Sequence, residues 1–367
     1  RYSFKINFGK YVDGQTYRGL DKINLNNSYL DATYMKDYMT YEIFKAAGVP
    51  AQLTSYCVLS INGEELGLYL VIEDGDDSYL ERTNEGKGTL YKPETYEDGG
   101  ANAGGSRGGR SSSSSDSEGG ASLNYIDDEV SSYPQIFDNN STHASEKDQL
   151  QVIAALKGLS ESEGIKLEEY LYTDEIIRYF AAHNYVLNYD SYTGAMRHNY
   201  YLYERAGRLA MLPWDYNEAF GAHGVSGPGT DATKVINSGI DSPLNNTTET
   251  ARPMWAWIVE NEEYLDQYHE VFRELVSGYF ESGEFEAEAL RVYEMIRPYV
   301  ETDPSSFYTV SEFDAAYEML VRFCEKRTQS IRKQLDGELA TVTEQQDIAG
   351  RVDASDVEIA VMGVKKK

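Results

Sequence analysis

Three polar side chains in the second half of the chain, Asp190, Asn199 and Asp215, are of the types that serve a hard cation and a hydroxyl nucleophile. Mg²⁺ takes oxygen ligands from one or two carboxylates, together with phosphate oxygens and water. An Asp and an Asn amide oxygen meet that need, and a further Asp nearby can orient a hydroxyl for attack on phosphorus. Asn199 and Asp215 are therefore the candidate metal pair, and Asp190 and Asp215 the candidate catalytic pair. By spacing alone, residues of these types in loops of so acidic a chain are more often caps and turns than a metal site.

The elements around them decide whether they meet. Thr173 to Leu187 has helical periodicity, so Asp190 follows a helix end. Tyr200 to Tyr203 and Leu209 to Leu212 flank Ala206-Gly207 as a small hairpin, which puts Asn199 and Asp215 at one end of it. Upstream, Tyr2 to Phe8 alternates with period two and Gly19 to Leu25 offers a second strand. Asp31 reads as the N-cap of a helix to about Ala47, stopped by Gly48 and Pro50. Cys57 to Ile61 and Gly67 to Ile72, joined through Asn62-Gly63, form a hairpin with favoured turn chemistry. Glu146 to Leu159, Met254 to Phe280, Phe285 to Tyr299 and Ser311 to Leu335 read as further helices, and Phe220 to Asn246 as a long aperiodic loop. A Gly/Ser tract at about 97–122 reads as a mobile insertion. The expected organisation is a strand-rich region at 1–75, a linking region at 76–150, a helical region at 151–337 and a tail at 338–367.

Sixty-one acidic against thirty-three basic side chains give a formal charge of −28. That charge opposes unaided binding to nucleic-acid phosphates, so a polyanionic ligand must arrive with a cation or meet a local basic pocket. Apolar stretches such as Leu66 to Ile72 fall far short of the about 20 residues that span a bilayer. The two cysteines, Cys57 and Cys324, form no framework, and the histidines His143, His183, His198 and His223 share no zinc-ligand spacing.

A resemblance runs along the chain. Gly19–Asn27 (GLDKINLNN), Glu42–Pro50 (EIFKAAGVP), Ile61-Asn62-Gly63 with Gly67–Glu73 (GLYLVIE), Leu90-Tyr91-Lys92, His198–Tyr203 (HNYYLY) and Leu212–Gly221 (LPWDYNEAFG) occur in this order. Together they resemble the spore coat protein H family, CotH, over roughly residues 1 to 335. The resemblance implies an α+β, two-lobed, atypical protein-kinase-like fold with a strand-rich N-lobe and a mainly helical C-lobe. It implies transfer of the ATP γ-phosphate to Ser or Thr of protein substrates, with Mg²⁺ or Mn²⁺ as cofactor, in an extracytoplasmic or spore-coat setting. No export signal lies within the given sequence.

Position by position, the resemblance matches Asp215 to the metal-binding Asp of kinases, Asn199 to the metal-supporting Asn, and Asp190 to the family's other essential Asp, as base or second metal ligand. Asp190 precedes Asn199 by nine residues, a longer spacing than in ordinary kinase loops. No Gly-x-Gly-x-x-Gly is present near the N-terminus, so phosphates would need side chains. Lys22 precedes the first helix as the nucleotide-pairing Lys of kinases does, with Asp37 or Glu42 as partner. Glu73 stands where a hinge would follow, Tyr91 and Leu209 would cover the adenine or else fill the core, and Lys92 would reach a phosphate. Ser111 to Ser115 reads as an autophosphorylation segment or a plain flexible linker. A basic, Ser-rich protein substrate would suit the acidic surface. The competing readings are a scaffold that keeps the fold without catalysis, and an enzyme that transfers AMP instead.

Overall fold

The computed structural model describes residues 2–95, 120–161, 166–225 and 227–363. Ser111 to Ser115 and most of the Gly/Ser tract lie outside the described residues. Four antiparallel strands open the chain, β1 (Phe4–Asn7), β2 (Lys22–Asn26), β3 (Thr54–Ile61) and β4 (Glu64–Glu73), in the spatial order β1-β2-β4-β3. The β3–β4 turn is the expected one: Asn62 and Gly63 both take positive φ, and Ile61 pairs with Glu64.

Helix α1 (Lys36–Ala46) crosses between β2 and β3 and starts later than its sequence suggests. The cause is local. The Asp31 carboxylate accepts from the Thr33 amide (2.9 Å) and hydroxyl (2.5 Å) and from the Lys36 amide (2.8 Å), so it caps a preceding turn and reaches the helix only at its first residue. Two short elements follow that periodicity did not reveal, α2 (Asp77–Asn84), capped by Asp76, and β5 (Thr89–Tyr91).

The second half begins with α3 (Pro134–Phe137), α4 (Glu146–Ser160) and α5 (Thr173–Val186), then the hairpin β6 (Tyr200–Arg205) and β7 (Arg208–Pro213). Strand β5 pairs with β6, so the linking region contributes a strand to this second sheet, of order β5-β6-β7. The expected aperiodic loop contains α6 (Ala232–Ile236). The expected helix Met254 to Phe280 divides into α7 (Pro253–Glu260) and α8 (Glu262–Leu275), with a π-helical turn at Val276–Phe280. Asn261 causes the break, leaving α7 extended and capping α8 through the Glu263 and Tyr264 amides. Helices α9 (Glu284–Thr302) and α10 (Val310–Leu335) complete the body.

Alternation on β4 divides the molecule's apolar interior. Leu68, Leu70 and Ile72 face a main core that runs without interruption through α1, α5, the second sheet and α8 to α10. Ile23, Leu25 and Tyr69 form a small separate cluster on the other face. None of the described helices is long and apolar enough to cross a membrane.

Candidate functional site

Helix α5 delivers the first loop. Its last turn carries His183, fully buried, with Nδ1 2.9 Å from the Tyr216 hydroxyl and Nε2 2.7 Å from the Thr193 hydroxyl. Leu187 then takes a left-handed conformation that ends the helix. The Asn188 side chain accepts from the Asp190 amide (3.1 Å) and donates to the Asp215 carbonyl (3.2 Å), joining the two loops that bear the carboxylates. Below them, the buried Arg252 guanidinium donates to the carbonyls of Tyr192 (2.5 Å), Gly194 (2.6 Å) and Ala251 (2.6 Å). Position 194 needs glycine because a Cβ would stand 1.8 Å from the Tyr189 carbonyl oxygen. The loop is thus closed on itself and anchored from beneath.

The hairpin brings the other two residues to one end, since Tyr200 pairs with Pro213. Asn199 and Asp215 both sit at positive φ, 56° and 55°, a region that Asn and Asp tolerate better than most residues and that functional sites often use. The Asn199 amide donates to Asp190 Oδ2 at 2.9 Å. Asp190 Oδ1 faces His198 Nε2 at 3.1 Å and His223 Nδ1 at 3.4 Å, and His223 Nδ1 also meets Glu218 Oε2 at 2.5 Å. Asp190, Glu218 and His223 converge closely enough to share a cation.

Asp215 differs from its neighbours. Its amide donates to the Tyr41 hydroxyl at 3.3 Å, but among the described residues no donor reaches its carboxylate oxygens. Burial and the Asp190 charge push this carboxyl up to about 6, against the opposing pull of Lys92 and His198. Asp37, at the start of α1, accepts from the Tyr216 amide (2.6 Å) and from Asn26 (3.2 Å), and burial followed by the Asp215 charge drives it well above the carboxylate range. Burial alone would lower His198; its hydrogen bond to Asp190 and the surrounding carboxylate charges outweigh that and raise it.

These residues fit a divalent cation. The donors are oxygens of two carboxylates and an amide, and the Asn199 nitrogen is committed to Asp190, which leaves its Oδ1 for a metal. The repulsion that raises Asp215 is what a dication would relieve. Beside Asp215 opens a cleft of about 710 Å³ whose wall includes Lys5, Asn24, Asn26, Tyr41 and Trp214. A second cavity of about 350 Å³ is lined by Tyr189 and His223, with Gly221, Gly224, Asn245 and Asn246.

A family model described as CotH kinase protein matches residues 1–331. The chain belongs to this family. Among curated proteins, the inner spore coat protein H of Bacillus subtilis (strain 168) is 24% identical over 341 residues, covering 91% of this chain and 83% of that relative.

The fold brings together some of the residues singled out in this CotH kinase-family sequence and disperses others. Asp190, Asn199, Asp215, Asp37 and Lys92 gather at the site, where Lys92 pairs with Glu94 (2.7 Å) and its ammonium lies 5.8 Å from the Trp214 ring. Lys22 meets neither Asp37 nor Glu42. It bridges Asp76 at 3.5 Å, and Glu42 pairs with Lys45. Lys22 shares a face of β2 with Asn24 and Asn26 but stands at the strand's far end; the lysine lining the cleft is Lys5, opposite Asn24 and bonded to Asp74 at 2.6 Å. Glu73 is buried in a two-pronged pair with Arg82 (3.1 and 2.5 Å), binding β4 to α2. Tyr91 is fully buried against Phe137, and Leu209 is fully buried at the turn end of the hairpin, bridged to Leu171. Both are core residues, and neither lines the cleft.

Sequence reasoning did not find His198, His223, Glu218 or Lys5. The available signal was adjacency: His198 precedes Asn199, and Glu218 and His223 lie within and just after the Trp214–Gly221 string.

Proposed function

We propose that this chain is an ATP-dependent phosphotransferase with a two-lobed, kinase-like division of labour, acting on Ser or Thr hydroxyls of protein substrates in a spore-associated, extracytoplasmic setting. One observation carries the reading: Asp190 and Asn199 are locked together at 2.9 Å beside Asp215, whose carboxylate accepts no hydrogen bond among the described residues and faces a nucleotide-sized cleft. The family's description as kinase supports the activity, and the relative's name supports the spore setting.

Asn199 and Asp215 would hold Mg²⁺ or Mn²⁺, which when bound neutralises phosphate charge. The remaining work falls to the chain's own groups. Lys5 in the cleft wall and Lys92 beside Trp214 supply cationic side chains, each balanced by an acid, Asp74 and Glu94. Asp190 has both oxygens oriented, by Asn199 on one side and by His198 and His223 on the other, which fixes the carboxylate toward an acceptor hydroxyl. The cavity lined by Tyr189 and His223 adjoins Asp190 and would admit the acceptor side chain. A surface of −28 favours a basic, Ser-rich substrate.

Calorimetric titration of Mg-ATP into the wild type, Asp215→Ala and Asp190→Asn tests the assignment. The reading expects binding by the wild type and by Asp190→Asn and loss in Asp215→Ala. Equal binding by all three would remove Asp215 from the metal site.

A further inference from the structure

The segment after α10 lies beyond the family match, and none of its described residues lines the cleft, yet it is folded back onto the body. Ala354, Val357, Ile359 and Met362 are buried, and the Asn237 side chain bonds both the amide and the carbonyl of Val352 at 2.9 Å. At its end, the Met362 carbonyl accepts from the Ala32 amide at 3.1 Å. Gly363 follows at φ +103°, where a Cβ would stand 2.6 Å from the Ala32 nitrogen and 2.7 Å from the Leu30 oxygen. The tail is wedged against the turn that precedes α1.

Lys36 connects that wedge to the site. It is the first residue of α1 and is fully buried. Its ammonium donates to the carbonyls of Leu30 (3.1 Å), Asn217 (3.2 Å) and Gly363 (3.4 Å), so each of its three donors has one acceptor. A buried ammonium depends on keeping such acceptors. The next residue, Asp37, accepts from the Tyr216 amide, so Lys36 and Asp37 grip the two residues that follow Asp215. Gly363 and Asn217 therefore share one ammonium.

We propose that the C-terminal segment as far as Gly363 positions the Asp215–Glu218 segment through Lys36, so that cation and nucleotide affinity depends on described residues that lie outside the cleft. Lys36 is a positioning residue in this scheme. The inference rests on the reading of the site as a metal-nucleotide centre, and its test is built to separate the two.

The test is a double-mutant cycle on the whole protein: wild type, a chain ending at Ala360, Lys36→Met, and both changes combined. Mn²⁺-ATP affinity is measured by the paramagnetic signal of free Mn²⁺, backbone exchange by hydrogen–deuterium mass spectrometry of peptides spanning 212–222, and folding by melting temperature. Each single change is expected to weaken binding by about tenfold and to speed exchange in 212–222, and the combined variant to lose no more than either alone. Unchanged affinity and exchange in the folded variants, or losses that simply multiply, would overturn the proposal. If the shortened chain fails to fold, Gly363→Val in the full-length protein replaces it. If the wild type binds no Mn²⁺-ATP, the site reading fails by itself. The tail's role is then decided by exchange alone, with unchanged protection of 212–222 overturning it.

Discussion

His183 gives the fold a built-in acid sensitivity whose size follows from the structure. Its imidazole is fully buried, stacks on Tyr179 at 5.6 Å with an 8° interplanar angle, and holds a hydroxyl at each nitrogen. Burial pushes its pKa down to about 3. In the unfolded chain the same group titrates near 6.5, so between about pH 6.5 and 3 the unfolded state carries a proton that the folded state lacks. Stability is therefore lost as the pH falls, at about 1.4 kcal/mol per pH unit and about 5 kcal/mol over the whole window. Other groups add slopes of their own. His198 and His223 are raised and contribute in the opposite sense, so the His183 term must be isolated by difference.

His183→Gln does this, because an amide keeps a polar donor and acceptor at the position but does not titrate. Imperfect hydrogen bonding is expected to cost the variant about 1–3 kcal/mol at pH 7.5. Urea unfolding at pH 7.5, 6.5, 5.5 and 4.5, with coincident circular dichroism and fluorescence transitions as the two-state check, gives the difference directly. The variant's deficit should shrink by about 1.4 kcal/mol per pH unit below 6.5, and by pH 4.5 the variant should match or exceed the wild type. A deficit independent of pH would show that His183 is not held neutral, and would refute the reasoning.

Three further outcomes follow from the same geometry. Asp190→Asn should keep the loop and the Mg-ATP affinity while lowering turnover by about a hundredfold or more, read from steady-state phosphotransfer. Arg252→Met strips three carbonyls of their donor and should destabilise the protein by about 3 kcal/mol or more by urea unfolding, with the loop at 189–199 exchanging faster. Arg82→Ala leaves Glu73 buried without its cation, with only the Leu53 amide still donating to it, and should cost about 3 kcal/mol with nucleotide affinity unchanged, since neither residue lines the cleft.

What could be read from the sequence was what local rules determine. Asn62-Gly63 and Ala206-Gly207 both take the paired positive φ of tight hairpin turns, and each fixed its register, Ile61 with Glu64 and Arg205 with Arg208. The start of α1 was misplaced because Asp31 can cap a turn as readily as a helix. The split at Asn261 was hidden because helical periodicity continues across a residue that also caps well. Strand β5 is three residues long and exists through its pairing with β6, so no pattern within it could announce it.

The site divides along the same line. Asp190, Asn199 and Asp215 could be singled out by their types and their places beside a helix end and a hairpin, and the family resemblance, not the spacing, favoured a cation over caps and turns. His198, His223 and Glu218 acquire meaning only when the loop between α5 and β6 meets the loop after β7 at Asp190. Lys22 was placed only on the strand before the first helix, and which lysine reaches the cleft depends on β1 pairing with β2 so that Lys5 stands opposite Asn24. Tyr91 and Leu209 have the composition of either a ligand wall or a core, and packing assigned them to the core.

The central claim is tested most directly by intact mass. The purified chain is incubated with ATP and Mg²⁺ or Mn²⁺ and a basic Ser-containing peptide, beside an Asp215→Ala protein shown by melting to be folded. The account predicts that chain or peptide gains the mass of one or more phosphoryl groups with the wild type only. Gain of an adenylyl mass, or no gain while Mg-ATP is bound, would contradict it and turn the reading toward AMP transfer or a non-catalytic scaffold respectively.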